Sequence, residues 1–118
     1  MPGRRGARRG KAARASFDID KPLYTIGVAS EILETLPRTL MLYEDVHLIE
    51  PFRTQSNRRR YSQRDIRKLQ VIQAMTREKG INLAGVRHIF SLFQVLQRQR
   101  VPPPEDLQDV YGRYSELM

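Results

Sequence analysis

Three consecutive arginines, Arg58, Arg59 and Arg60, follow a polar turn of Gln55, Ser56 and Asn57 and directly precede Tyr61. Guanidinium groups stay charged at any physiological pH and present a planar fork that pairs with phosphate through two parallel hydrogen bonds. Such a run beside an aromatic suits a polyanion backbone. Upstream, Arg38 and Thr39 come just after Pro37, where a helix would offer one further fork and one hydroxyl. At base edges an Arg discriminates sequence, whereas on phosphates it adds affinity alone, and the sequence does not say which Arg38 does. Arg53 stands on the other side of the polar turn. In a hairpin, Arg59 would point opposite to Arg58 and Arg60, so the three cannot meet one surface equally. A charged edge strand that resists aggregation is the plainer explanation of the run, and a solvated helix residue that of Arg38.

These side chains need short elements to hold them. Thr25 can cap a helix over 26–33 that carries Ile26, Ala29, Ile32 and Leu33 on one side, and Pro37 suits the first turn of a second helix running to about Asp45. The corner falls at 34–36. The second helix would place Leu40 and Tyr43 inward and Arg38, Thr39, Met41 and Leu42 toward a groove, and the stretch from Arg53 to Tyr61 would form a small basic hairpin. This pattern is a helix-turn-helix with a wing, in which the second helix enters the major groove of duplex DNA.

The scaffold is legible from periodicity. Ser62, with Asp65 three residues later, opens a third helix whose Ile66, Leu69, Ile72 and Met75 form a stripe, closed by Gly80. Asn82 caps a fourth helix with Leu83, Val86, Ile89, Phe90, Phe93 and Leu96. Its apolar positions, with Leu92 and Val95, surround much of the helix, and a partner subunit could cover the surplus. Pro102, Pro103 and Pro104 end it, and a last short helix from Glu105 carries Leu107, Val110, Tyr111, Tyr114 and Leu117. That face could fold back on the body or pack across a dimer, and the dimer is slightly favoured. The fold class is thus mainly α: a winged helix-turn-helix with a two-stranded β wing and additional C-terminal helices. Residues 1–22 are expected to form a basic, disordered N-terminal arm, 23–93 the DNA-binding domain, and 94–118 a helical extension that could make a dimer contact.

Bulk properties narrow the function. The 118 residues suffice for one domain and a tail, and of the formal charge of +8 the segment 1–22 carries +5. A polyanion is the first partner to consider, and the tail could track phosphates or simply solubilise the chain. With no Cys there is no disulfide or thiolate metal site, and only His47 and His88 offer imidazole. His47 is read as an exposed loop residue, and His88 as a partly buried packing residue. Glu44 and Asp45 are expected to end the second helix in solvent. No paired carboxylates, phosphate loop or nucleophile motif suggests an enzyme, a cofactor or a metal. No apolar run is long enough to span a bilayer, and no secretion signal follows the basic N-terminus, which fits a cytosolic protein.

YTIGVA at 24–29, PRTLMLYE at 37–44, LIEP at 48–51, RRRYS at 58–62 and GINLAGVRHI at 80–89 together resemble the MerR family of bacterial transcription regulators. The likeness extends over about 23–93, and the Asn-Leu-Ala-Gly-Val stretch is most similar to the heat-shock and glutamine-synthetase repressors. It implies a homodimeric, sequence-specific regulator, usually repressing, on an inverted-repeat operator. By the same resemblance Arg38 and Thr39 open the recognition helix, Tyr43 reaches a phosphate and Arg59 is the wing arginine. Arg53, Arg58, Arg60, Tyr61 and Met41 complete the expected interface. The family's usual TLRYYE is TLMLYE here, so Met41 replaces an Arg; Met can touch a thymine methyl but cannot hold a phosphate. Where the family often has Gly and a Ser cap at the corner, Glu34 and Leu36 stand instead. No sensor domain is expected to follow, so regulation is expected through another protein, through dimerisation, or not at all. An architectural DNA binder, of the excisionase or chromosome-segregation type, is the alternative, and a basic RNA-binding protein a more distant one.

Overall fold

The computed structural model describes residues 17–118, so most of the expected N-terminal arm lies outside the described residues. Helix α1 (Ile26–Ile32) begins at Thr25, whose hydroxyl accepts the Val28 N–H at 3.2 Å. Helix α2 (Pro37–Asp45) begins with proline at a position where a missing N–H costs nothing. Strands β1 (Phe52–Arg53) and β2 (Arg59–Arg60) pair antiparallel, and α3 (Gln63–Gln73) runs on into a π-helical turn over Ala74–Glu78. Helix α4 (Leu83–Gln99) is the longest, and a 3-10 turn at Glu105–Leu107 leads into α5 (Gln108–Ser115). The molecule is a winged helix-turn-helix with C-terminal helices, as the periodicities indicate.

The α1–α2 corner shows how a chain without glycine makes this bend. Glu34 takes a left-handed conformation, φ 53°, which crowds its Cβ against the backbone. Two side chains of the α3 helix and its extension stabilise the corner from behind. The buried Gln73 Nε2 donates to the Leu33 carbonyl at 2.8 Å, and Arg77 Nη2 donates to the Glu34 carbonyl at 3.4 Å. The end of α1 thus gains a partner for a carbonyl that its own helix leaves open. Glu34→Gly removes the crowding and should raise stability by roughly 0.5–1 kcal/mol, read as a higher urea midpoint.

The core lies where α1, α2, α3, α4 and α5 meet. Leu40, Ile66, Leu69, Ile72, Met75, Val86, Phe93 and Val110 are all at most 2 % exposed. The expected α3 stripe is fully inside. Ile32, expected to face the core, is 44 % exposed because Ala29 and Leu33 set the buried side of α1, and one residue is a rotation of about 100°. His88 is likewise exposed and not packed, since Val86, Phe90 and Phe93 face inward and His88 sits nearly half a turn away from Val86.

The starts of the α3 and α4 helices follow from local chemistry. Ser62 and Asp65 form a reciprocal capping box, with the Asp65 N–H to Ser62 Oγ at 3.0 Å and the Ser62 N–H to Asp65 Oδ2 at 2.9 Å. Asn82 Oδ1 accepts the Gly85 N–H at 2.8 Å. A Cβ on Gly85 would come within 2.8 Å of the Ile81 side chain, so a larger residue there would have to displace that side chain. Helix α5 folds back: the Tyr114 ring stacks on Phe90 with centroids 4.0 Å apart, and Tyr111 meets Phe93 edge-on at 5.1 Å. The apolar face of α5, for which a dimer was the favoured use, is therefore spent within the chain, and any dimer contact by 94–118 falls on other surfaces.

Candidate nucleic-acid interface

The wing is short but well tied. Phe52 pairs with Arg60 and Arg53 with Arg59, and the three residues 55–57 make the turn. Asn57 supplies its left-handed position, φ 64°, while its N–H reaches the Thr54 carbonyl at 2.8 Å and Thr54 N–H reaches the Arg58 carbonyl at 2.9 Å. That is a type I turn followed by a left-handed residue, a common three-residue hairpin. Beyond β2, Tyr61 exchanges two hydrogen bonds with Tyr24 at 2.7 and 2.9 Å, which fastens the hairpin to the segment entering α1.

A single carboxylate joins the wing to α2. Because Arg53 and Arg59 are directly opposed across the ladder, they lie on one face, and both reach Glu44 in the last turn of α2. Arg59 Nε is 2.7 Å from Oε1 and Arg53 Nη2 is 3.0 Å from Oε2, and the Glu44 side chain is only 21 % exposed. Glu44 does not end its helix in solvent, as expected from sequence; it positions the hairpin. Burial alone would push its carboxyl up, but the hydrogen bonds and charges of Arg59 and Arg53 outweigh this and hold it below the usual carboxylate value. A depressed carboxyl pKa contributes stability above the ordinary carboxylate range and loses it as pH falls through the lowered value. Partly exposed pairs of this kind are worth about 0.3–1 kcal/mol each. Glu44→Ala, or acidification below the normal range for Glu, should therefore cost roughly 1 kcal/mol and speed amide exchange in the wing more than in α3, as hydrogen exchange would show.

The expected interface residues divide into three groups. Arg38 and Arg58 are exposed, as is Leu42 at 48 %, and Thr39, Met41 and Arg60 are partly so. Arg53 and Arg59 are engaged by Glu44. Tyr43 is 6 % exposed and Tyr61 is 0 %, so Tyr61 is a core residue and not part of an accessible surface, in contrast to its expected place beside the arginines. The cause is its pairing with Tyr24, which turns the ring inward. Its hydroxyl is buried with no hydrogen-bond partner among the described residues, and burial pushes its pKa up to about 12. An unpaired buried hydroxyl costs about 1–3 kcal/mol. Tyr61→Phe should consequently leave stability unchanged or raise it by up to about 1 kcal/mol in a denaturant titration, with nucleic-acid affinity intact.

Helix α2 stands between two grooves. One of about 440 Å³ separates its C-terminal end from the wing and is lined by Glu44, Asp45, Arg53 and Arg59. The other, about 490 Å³, is mainly apolar and runs from Thr39, Leu42 and Tyr43 to the α3–α4 connection at Gly80–Leu83. The role of Glu44 was missed because a terminal helix acid looks solvated in one dimension. The opposed pair Arg53 and Arg59 was the available signal, since like charges facing each other call for an anion between them.

Comparison with known proteins agrees with this architecture. The family model described as MerR HTH family regulatory protein matches residues 24–92. A heat shock protein named HspR from Streptomyces coelicolor is 42% identical over 73 residues, covering 62% of this chain and 48% of the relative. The HTH-type transcriptional regulators named GlnR from Bacillus anthracis and Bacillus cereus are each 30% identical over 89 residues, covering 75% of this chain and 67% of theirs. The chain thus spans about half the length of the Streptomyces relative and two thirds of the Bacillus ones. The matched region contains α1, α2, the wing, α3 and the first part of α4, and the chain belongs to the MerR family of helix-turn-helix regulatory proteins.

Proposed function

We propose that this chain is a sequence-specific, double-stranded DNA-binding transcriptional regulator that acts as a homodimer on an inverted-repeat operator, in the repressing sense. The observation that carries the reading is the Glu44 clamp, which fixes a basic hairpin beside the C-terminal end of a helix whose N-terminal turn exposes Arg38. In this reading Arg38 and Thr39 meet base edges, Met41 and Leu42 offer apolar contact to thymine methyls, and Arg58 and Arg60 hold phosphates. Tyr43 reaches a phosphate only at its rim. Arg53 and Arg59 orient the hairpin.

A dimer is supported by Leu92 and Val95, three apart on α4 and 48 % and 41 % exposed. Large apolar side chains grouped on one side of a long helix favour burial against a second copy. The names of the Bacillus relatives support a regulatory role. The setting proposed is the bacterial cytoplasm and its nucleoid; among the described residues no helix is long and apolar enough to cross a membrane. No catalytic step or cofactor enters this reading, and a partner protein could modulate it.

Genome-wide mapping of bound sites, followed by sedimentation of the complex with the enriched sequence, tests it. A shared inverted repeat occupied by two chains is the expected result. Uniform coating of DNA without a common sequence would replace it with an architectural role, and preference for structured RNA over duplex DNA would overturn it.

A further inference from the structure

Behind the loop that follows α2, a separate cavity of about 180 Å³ opens between that loop, α3, α4 and α5. Its charged lining is wholly basic: His47 from the loop, Lys68 from α3 and Arg87 from α4. Among the described residues no Asp or Glu lines it, and neither Lys68 nor Arg87 takes part in an ion pair. The nearest acid acting on Lys68 is Asp65, whose carboxylate is already committed to the Ser62 N–H at 2.9 Å. Lys68 is largely withdrawn from water, with its ammonium 5.8 Å from the centroid of the Phe90 ring, and that burial pulls its pKa down. An aromatic face and the charge of Asp65 compensate part of the Lys68 ammonium's lost hydration, but among the described residues no carboxylate in the lining pairs with Lys68 or Arg87.

The neutral lining completes a set of donors. Ser91 contributes a hydroxyl to the cavity wall. Gln94 Nε2 donates to the Tyr114 hydroxyl oxygen at 3.2 Å, which leaves the hydroxyl proton of Tyr114 free to be donated in turn. Donors and positive charge without acceptors of negative charge describe a receptor for an oxyanion. The volume corresponds to about six water molecules, enough for a phosphate group with a short carbon body and too little for a nucleotide.

We propose that this cavity is a binding site for an oxyanion of the phosphate class, held by Lys68, Arg87 and His47. His47 also lines the groove between α2 and the wing, so an occupant touches the loop that fixes how α2 ends. The same chemistry could be supplied by a free phosphate ester or by a backbone phosphate of bound DNA. The first arm of the test needs no DNA and stands independently of the regulator reading.

The full chain is titrated with inorganic phosphate and with pyrophosphate, against sodium chloride at matched ionic strength, by thermal unfolding and by amide shifts in two-dimensional NMR. A saturable response centred on residues 47, 68, 87 and 91 is expected from one or both probes. Lys68→Gln and Arg87→Gln should each weaken it by about tenfold, as loss of one charge-assisted hydrogen bond would, while Arg67→Gln on the same helix leaves it unchanged. Arg87 is exposed, so its variant remains informative if Lys68→Gln folds poorly. If the probes give no saturable response but Lys68→Gln or Arg87→Gln lowers the log-log salt slope for duplex DNA by about 0.9, the oxyanion is a DNA phosphate. No saturable response together with an unchanged slope, or an equal response in wild type and both cavity variants, overturns the site.

Discussion

Replacing Arg38 with alanine is expected to weaken binding to the preferred operator by about fivefold to 150-fold, the equivalent of roughly 1–3 kcal/mol for a bidentate contact to guanine. The effect should be confined to one base pair in each half-site. Arg38 is exposed in the first turn of α2, with no acid paired to it among the described residues, so its fork is available to a groove. Competition binding with a panel of operators, each altered at one position, is the direct measurement. A uniform loss across the panel, with a salt slope reduced by about 0.9 per half-site, would assign Arg38 to phosphate. Unchanged selectivity and unchanged slope would return it to the scaffold.

The largest stability effect is expected at Phe93. The ring is 0 % exposed, meets Tyr111 edge-on at 5.1 Å and lies 6.0 Å from the Tyr114 ring, so it joins α4 to α5. Phe93→Ala removes that contact and opens a cavity, at a cost of about 3–5 kcal/mol. A domain of this size holds about 5–15 kcal/mol in total, so the variant should be partly unfolded near physiological temperature. Urea titration followed by circular dichroism gives the value. A loss under 1 kcal/mol, in that experiment, would mean that α5 contributes little to the fold.

Periodicity made the helices legible because burial and hydrogen bonding act on the same few residues. Thr25, Ser62 and Asn82 cap the helices they were expected to cap, and the stripe from Ile66 to Met75 is inside. Contacts across the chain were less accessible. Alternation separated Arg59 from its two neighbours, but it did not reveal that Glu44, fifteen residues earlier, takes up both Arg59 and Arg53. Tyr61 was read from the arginines beside it, whereas its pairing with Tyr24 decides its direction. The amphipathic face of α5 offered two destinations, and only packing against Phe90 and Phe93 distinguishes them. In each case the missing information was a partner distant in sequence, which local patterning does not encode.

Left-handed backbone occurs without glycine at Glu34, His47 and Asn57, which bracket α2 and mark the tip of the wing. Glycine at such places would leave a hinge with many accessible states; a side chain confines each bend to one narrow well. A reader built in this way has little give. For a chain acting as proposed, any misfit between its contact arms and a duplex is then absorbed by the duplex, and smooth bending over 20–30 base pairs costs about 1–6 kcal/mol depending on how readily the intervening steps deform. Affinity would thereby depend on nucleotides that no side chain touches, through their stiffness alone.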